Sequence, residues 1–329
     1  MMKIGNSNNY SELPVLLTLH VRAEYLESQL RTLKDANIKN LYISIDGPRN
    51  NSDEENQSRI LQIISQNQKN FESIEVRHSK VNLGIAVAMI SAIDWFFSIN
   101  ESGVIFEDDI QFSSDTLEYF KQALQSIEQQ SDTLMASGFQ PFPETLNSYC
   151  VSYTNYPQIW GWATNAEKWK VMRAYIFELP RTSRKIDAAI RNFWKVGWQR
   201  VNEGYLDTWD LPIAAGMLFA GKFCVLPPVN LISNIGIDSF STNTITEDFP
   251  MGLKVVKLQS AIDFSLKADQ SDANKVNRLF DEKMYFIRNR NWLSPLFRLL
   301  DTRRFARKKK EPLVARMNRH MELKKEIYD

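Results

Sequence analysis

Residues 13–46 read LPVLLTLHVRAEYLESQLRTLKDANIKNLYISID, and the order of their apolar and amphipathic segments predicts the fold class. The runs LPVLLT at residues 13–18 and LYISI at residues 41–45 are typical of buried strands. Residues 24–36, between them, have the apolar spacing of an amphipathic helix. A strand, a helix and a second strand in this order predict the first unit of an α/β sheet.

The same alternation continues along the chain. Downstream patterns predict a helix over residues 60–71, a strand over 73–77, a buried helix over 86–99, the strand GVIF over 103–106, and a helix capped by Ser114 or Asp115 that runs to residue 129. Further segments predict a strand at 149–153, helices at 181–198 and 211–220, and a strand at 222–226. We therefore expect a Rossmann-like α/β fold, with a mostly parallel sheet and helices on both faces.

The composition is that of a folded globular protein, because 43% of the 329 residues are hydrophobic and 24% are charged. Cys150 and Cys224 are too few for a disulfide framework or a four-cysteine zinc site. Residues 1–12 are polar and lack the apolar core of a signal peptide, and no run of 18 apolar residues occurs. We expect a cytoplasmic protein with a flexible stretch over residues 1–12.

The net charge of +1 is unevenly distributed. Residues 298–329 contain 11 Lys and Arg against 5 Asp and Glu, so the remainder of the chain is acidic. An acidic body argues against a nucleic-acid partner, which needs a basic surface on the folded domain. We expect a main domain at residues 13–260 and a basic helical tail at residues 261–329.

The tail between Trp292 and Lys310 alternates large apolar residues with arginines and lysines. Such a segment is typical of an interfacial helix on an anionic membrane, which would place the protein at the inner face of the cell membrane. An alternative is a helix that docks its apolar side on the main domain and leaves its basic end in solvent. Both interpretations are open at this stage.

Three adjacent carboxylates, Glu107, Asp108 and Asp109, follow the predicted strand GVIF directly. Ligands of open α/β sheets bind outside the carboxyl ends of the strands, and carboxylates crowded there repel one another unless a cation neutralises them. Neighbouring side chains of an extended segment point to opposite sides, so one aspartate can hold a metal while the other contacts a different group. Mg²⁺ or Mn²⁺ with a diphosphate ligand suits this pattern. The alternative is a solvated acidic turn.

Three further polar positions are predicted at the same edge of the sheet. Asp46 ends the second apolar run and can accept hydrogen bonds from a base or a ribose. Asn82 and Gly84 precede the helix that starts near residue 86, so backbone amides there can face a phosphate or a base. Arg22 follows the first strand and can pair with a phosphate or orient Asp46. Each position alone also fits an ordinary turn or a surface arginine.

Trp160, Gly161 and Trp162 form a second candidate site. Aromatic residues at such spacing are more often core than ligand contacts. A glycine between two indoles, however, indicates a close approach of the backbone. We therefore assign these three residues to the binding of a saccharide acceptor.

The order of these motifs resembles the GT-A fold nucleotide-sugar glycosyltransferases. The resemblance covers residues 13–244 and is strongest in GVIFEDDIQFSSDTLEYF at residues 103–120, which looks like the metal-binding stretch of glycoprotein N-acetylglucosaminyltransferases and of related bacterial polysaccharide glycosyltransferases. It extends to WGWAT at 160–164, TWD at 208–210 and PVNLISNIG at 228–236. Asn243 stands where the bacterial relatives have a histidine, so any role of that histidine is not carried over.

The resemblance implies a role for each matching residue. Arg22 and Asp46 would shape the nucleotide pocket, Asp108 would face the ribose or the sugar, and Asp109 would hold the metal that bridges the diphosphate. Asp210 would be the general base of an inverting transfer. Asp210 is also well placed to cap the helix over residues 211–220, and Asp207 or Glu203 are alternative bases.

The function expected on these grounds is metal-dependent transfer of a sugar from a nucleoside diphosphate donor, with uridine favoured, to a saccharide or lipid-linked acceptor. A sugar nucleotidyltransferase is one rival, although the glycine-rich, lysine-containing loop typical of that class is missing from residues 13–31. A membrane-docked saccharide-binding protein without catalytic activity is the other rival.

Overall fold

The computed structural model describes residues 12–143, 149–182, 185–236, 253–258, 261–265, 269–285 and 309–328. Ten strands occur in these residues: β1 Val15–Leu19, β2 Asn40–Ile45, β3 Ser73–His78, β4 Ser102–Glu107, β5 Ile110–Phe112, β6 Thr133–Ser137, β7 Ser152–Thr154, β8 Trp162–Asn165, β9 Phe223–Leu226 and β10 Ile232–Asn234. Eight of them form one mixed sheet in the order β3-β2-β1-β4-β8-β6-β9-β7, while β5 and β10 form a two-stranded antiparallel ribbon.

The parallel part of the sheet is the series β3-β2-β1-β4. Val15 of β1 is in register with Leu41 of β2 on one side and with Val104 of β4 on the other. All five residues of β1 are buried, as expected for a parallel strand covered on both faces. Beyond β4 the sheet becomes mixed, because β8 runs antiparallel to both β4 and β6, whereas β9 is parallel to β6.

Helices cover both faces of the sheet. Their bounds are α1 Ala23–Asp35, α2 Asn51–Asn67, α3 Ile85–Ile99, α4 Ser114–Glu128, α5 Ala166–Phe177, α6 Ala188–Asn202, α7 Asp210–Ala220, α8 Gln270–Leu279 and α9 Leu313–Ile327. Helices α1, α2 and α4 contribute to one buried apolar cluster, and α3, α5, α6 and α7 contribute to the other. The prediction of an α/β protein with a largely parallel, helix-flanked sheet is therefore confirmed, and the architecture is compatible with a Rossmann-like fold.

Two C-terminal pieces pack on this body. α8 continues into a π-helical turn at Phe280–Met284 and contacts β7, and α9 contacts α3 and α6. The part of the predicted interfacial helix from Trp292 to residue 308 lies outside the described residues. Among the residues that are described, no helix is both long and apolar enough to cross a membrane.

Several predicted boundaries shift for local reasons. Helix α6 begins at Ala188 rather than at residue 181, because Asp187 caps it by accepting from the amides of Ala189 and Ile190. The cap of α4 is Ser113, not Ser114 or Asp115: the amide of Ser113 donates to Oγ1 of Thr116 at 3.0 Å.

Gly103, the first buried residue of β4, is a position at which the packing of the sheet can be tested. A Cβ at Gly103 would overlap the ring of Phe96 in α3 and lie 2.8 Å from the carbonyl oxygen of Pro14. We expect Gly103→Ala to lower the free energy of unfolding in urea by about 1–3 kcal/mol through overpacking. The neighbouring change Ser102→Ala should stay within about 0.5 kcal/mol. Equal effects of the two substitutions would contradict this account.

Candidate functional site

The predicted site residues converge at the carboxyl edge of the parallel strands. Arg22 follows β1, Asp46 follows β2, and Glu107 ends β4 with Asp108 directly after it. The chain crosses from one face of the sheet to the other between β3 and β4, since α1 and α2 lie on one face and α3 on the other. The gap between β1 and β4 is therefore a topological switch point, where open α/β sheets bind ligands.

Arg22 bridges two of the carboxylates across this gap. Its Nη1 lies 2.9 Å from Oδ1 of Asp108 and 3.3 Å from Oδ2 of Asp109. The second oxygen of Asp108 accepts from the amide of His20 at 3.2 Å. These contacts tie the end of β4 to the end of β1. The roles predicted for Arg22 were pairing with a phosphate or orienting Asp46.

The β5–β10 ribbon holds Asp109 from the other side. The amide of Ile235 donates to the carbonyl oxygen of Asp109 at 2.9 Å, and Nη2 of Arg22 lies 3.4 Å from the carbonyl oxygen of Gly236. A Cβ at Gly236 would overlap the carboxylate of Asp109. A residue without a side chain is therefore required where the ribbon passes this aspartate.

Excess negative charge marks this edge of the sheet. Burial, followed by the charges of Asp109, Asp108 and Asp210, raises the pKa of Glu107 well above its usual value, and Arg22 opposes this shift. Burial also raises the pKa of Asp108, against the lowering effect of Arg22. Carboxylates that resist ionisation in this way favour the approach of a cation.

A divalent ion fits these residues if one or two carboxylates hold it and a substrate supplies the remaining ligands. The described residues contain no group of three or more His, Cys, Asp or Glu arranged to hold a metal ion. Mg²⁺ and Mn²⁺, however, bind through one or two carboxylates together with waters and the phosphates of a substrate. Asp109, with Asp108 beside it, meets that requirement where Arg22 already marks the preferred position of a positive charge.

The charge of Asp210 acts on Glu107 and contributes to the raised pKa of that carboxyl group. Asp210 is the first residue of α7, whose cap is Trp209, so the prediction that Asp210 itself is the cap is wrong. The hydroxyl of Thr208 donates to Oδ1 of Asp210. Burial raises the pKa of Asp210 and outweighs the opposing effects of Thr208 and of two backbone amides.

The alternative bases are placed less favourably. Both oxygens of Asp207 are engaged, by Nζ of Lys310 at 2.5 Å and by the two terminal nitrogens of Arg316 at 3.0 Å each. Glu203 is an exposed residue at the C-terminal end of α6.

Carboxylates of the chain occupy the amides that were predicted to face a ligand phosphate. Asp46 accepts from the amide of Leu83 at 2.8 Å and from Nδ2 of Asn82 at 3.0 Å. The amide of Ala86, in the first turn of α3, donates to Asp207 at 3.4 Å. Gly84, with φ 77°, leaves room for Asp207 at this helix end. Burial raises the pKa of Asp46, although the amide of Leu83 opposes the shift.

The three residues assigned to the acceptor separate in the structure. Trp162 is 1% exposed and stacks on Trp209 with ring centroids 5.8 Å apart, so it belongs to the core and does not fit a ligand-stacking role. Gly161 has φ 64° and packs against Ile232 and Phe106. Trp160 is partly exposed and packs beside Phe139, with ring centroids 4.7 Å apart.

Sequence patterns did not predict the C-terminal clamp on Asp207. Lys310 and Arg316 are 103 and 109 residues away from Asp207 in the chain. The clamp is continued by the amide of Lys310, which donates to the carbonyl oxygen of Gly204 at 3.0 Å. The basic character of the tail was the available signal, but charge alone does not identify a partner.

Comparisons with models of known protein families and with curated proteins give no match for this chain. The fold and the site geometry therefore carry the functional argument. They define an α/β protein with a cluster of carboxylates at a topological switch point.

The clamp predicts an energetic coupling between α9 and the loop before α7. The side chains of Arg316 and Asp207 are 11% and 18% exposed, so their ion pair is largely shielded from solvent. In a double-mutant cycle, Arg316→Gln and Asp207→Asn should show a coupling energy of about 1–3 kcal/mol in urea unfolding. Lys325→Gln, an exposed position on α9, serves as the control and should show no coupling with Asp207→Asn. Additive effects of the first pair would contradict the clamp.

The buried Asp210 predicts a pH-dependent stability. An acid whose pKa is raised on folding binds protons more tightly in the native state, so stability falls as pH rises above its ordinary value of 3.8 toward the raised value. Asp210→Asn removes this loss and should raise the free energy of unfolding at pH 7. The difference from the wild type should disappear below pH 3.8, as urea unfolding across pH would show. A variant less stable than the wild type at pH 7 would argue against this electrostatic account.

Proposed function

We propose that this protein is a metal-dependent glycosyltransferase of the GT-A type, which transfers a sugar from a nucleoside diphosphate donor to a saccharide acceptor with inversion. One observation carries the proposal: carboxylates from two distant parts of the sequence act on one another at the carboxyl edge of the parallel strands. Glu107, Asp108 and Asp109 come from the end of β4, and Asp210 comes from the start of α7.

The reaction needs negative groups in two places. The bond between the anomeric carbon and the diphosphate breaks, and a bond from the acceptor oxygen to that carbon forms. The hydroxyl proton passes to a carboxylate, for which Asp210 is the candidate because its burial raises the pKa above that of an ordinary surface aspartate. The nucleoside diphosphate is the leaving group, and a bound Mn²⁺ or Mg²⁺ supplies stabilisation of its developing charge.

Other residues of the cleft would position the two substrates. Asp109, with Asp108 beside it, would hold the metal ion, and Arg22 would exchange carboxylate contacts for the diphosphate. Asp46 and Asn82, which are hydrogen-bonded to each other, would border the nucleoside. Of the residues assigned to the acceptor, Trp160 has a partly exposed ring and would contact the acceptor.

The carboxylate cluster predicts metal-dependent nucleotide binding. We expect UDP to bind in calorimetry only when Mn²⁺ is present, and Asp109→Ala to abolish this binding because it removes the metal ligand. Asp210→Asn should retain the binding and lower turnover by about 10²–10⁴-fold on a panel of UDP-sugars. Asp132→Asn, at an exposed carboxylate paired with Lys222, is the control and should change neither property.

Two results would contradict the proposal. UDP binding that is independent of Mn²⁺ or is unchanged in Asp109→Ala would separate the cluster from the nucleotide. Release of pyrophosphate from a nucleoside triphosphate and a sugar phosphate would indicate a nucleotidyltransferase instead.

A further inference from the structure

A groove of about 640 Å³ lies at the β3 edge of the sheet and shares no residue with the carboxylate cleft. β3 is the outermost strand of the described sheet on this side. The groove is bordered by β3, α3 and the C-terminal end of α9, and its chemistry is set by Glu75, Arg77, Trp95, Lys324, Lys325 and Tyr328.

Arg77 is a buried cation with unused hydrogen-bond donors. It is 6% exposed, and its Nη1 donates to the carbonyl oxygen of Ser91 at 2.9 Å. Its Nε and Nη2 have no hydrogen-bond partner in the part of the chain that the structure describes. Its guanidinium carbon lies 3.6 Å from the ring centroid of Tyr328 and 5.8 Å from that of Trp95. Buried N–H groups without an acceptor are costly, and the charge of an anion in the groove would stabilise the guanidinium beside it.

The charge balance of the lining favours an anion. Among the described residues of the lining, Arg77, Lys324 and Lys325 are opposed by the carboxylate of Glu75. The charge of Asp94 also acts on Arg77. Oδ1 of Asp94 already accepts from Nε of Arg173 and from the indole nitrogen of Trp169, each at 2.8 Å.

We propose that this groove binds an acidic saccharide. A carboxylate or phosphate group of the sugar pairs with Arg77 and the two lysines, and a sugar ring lies against the indole of Trp95. The volume of about 640 Å³ is large enough for a sugar ring in addition to a charged group. The inference that the ligand is anionic rests on the groove alone. The inference that the ligand is a saccharide rests on the proposed function.

Two sources share this chemistry: a uronic-acid segment of an acidic polysaccharide and a free sugar phosphate. The full-length protein is titrated with trigalacturonate and with glucose 6-phosphate, without Mn²⁺ or nucleotide, by calorimetry and tryptophan fluorescence. Maltotriose serves as the neutral saccharide. We expect saturable binding of at least one acidic probe, weakened by salt, and no binding of maltotriose.

The lysine pair provides the decisive variant because both side chains are exposed and lie outside the core. Lys324→Gln/Lys325→Gln should weaken binding about tenfold. Lys170→Gln/Lys275→Gln removes the same charge from side chains that are 69% and 75% exposed elsewhere, and should leave the affinity unchanged. Trp95→Phe should remove the fluorescence response. Arg77→Lys, which keeps the charge but loses the planar fork, should also weaken binding if its thermal melt stays cooperative.

The probes also identify the source. Binding of trigalacturonate alone supports a polymer segment, and binding of glucose 6-phosphate alone supports a free sugar phosphate. The proposal is overturned if neither acidic probe saturates, if maltotriose binds equally well, or if the lysine variant binds like the wild type. Because metal and nucleotide are absent, failure of the UDP experiment leaves this result intact, and the groove would then belong to a saccharide-binding protein without transferase activity.

Discussion

Repulsion among the carboxylates at the end of β4 is the constraint on which the rest of the site depends. Glu107, Asp108 and Asp109 lie side by side at a partly buried strand end, where charge is weakly screened. The chain tolerates them because Arg22 is brought against two of them from β1 and because the amide of His20 donates to Asp108. The parallel pairing of β1 with β4 is therefore both a structural and an electrostatic requirement.

A second constraint is the attachment of the C-terminal segment to two loops, the loop before α7 and the loop before α3. Lys310 and Arg316 hold Asp207, three residues before Asp210. At the other end of α9, Ile327 accepts from the amide of Lys80, and the loop that follows contains Asn82. One basic segment thus connects the loop before α7 with the loop before α3. Part of the positive charge of the tail, that of Lys310 and Arg316, is therefore paired with Asp207 inside the molecule.

The sequence predicted those features that depend on local pattern. Apolar runs of strand length located β1, β2 and β4, and the position of Asp109 after such a run was sufficient to place it at the sheet edge. Features that depend on distant packing were beyond its reach. The sequence around Gly161 does not show whether a neighbouring indole faces a ligand or the core. In the structure Trp162 stacks on Trp209 and belongs to the core. The clamp on Asp207 likewise joins segments that no periodicity relates.

The burial of the carboxylates links the stability of the fold to the binding of a ligand. Raised pKa values at Glu107, Asp108 and Asp210 mean that ionising these groups costs more free energy in the native state than in the unfolded chain. A ligand that binds only the native state returns free energy in proportion to its affinity. A cation that bound at this carboxylate cluster would offset the cost of burying the charges. Replacing the carboxylates with neutral groups would relieve that cost and would also remove the negative charge that attracts a cation.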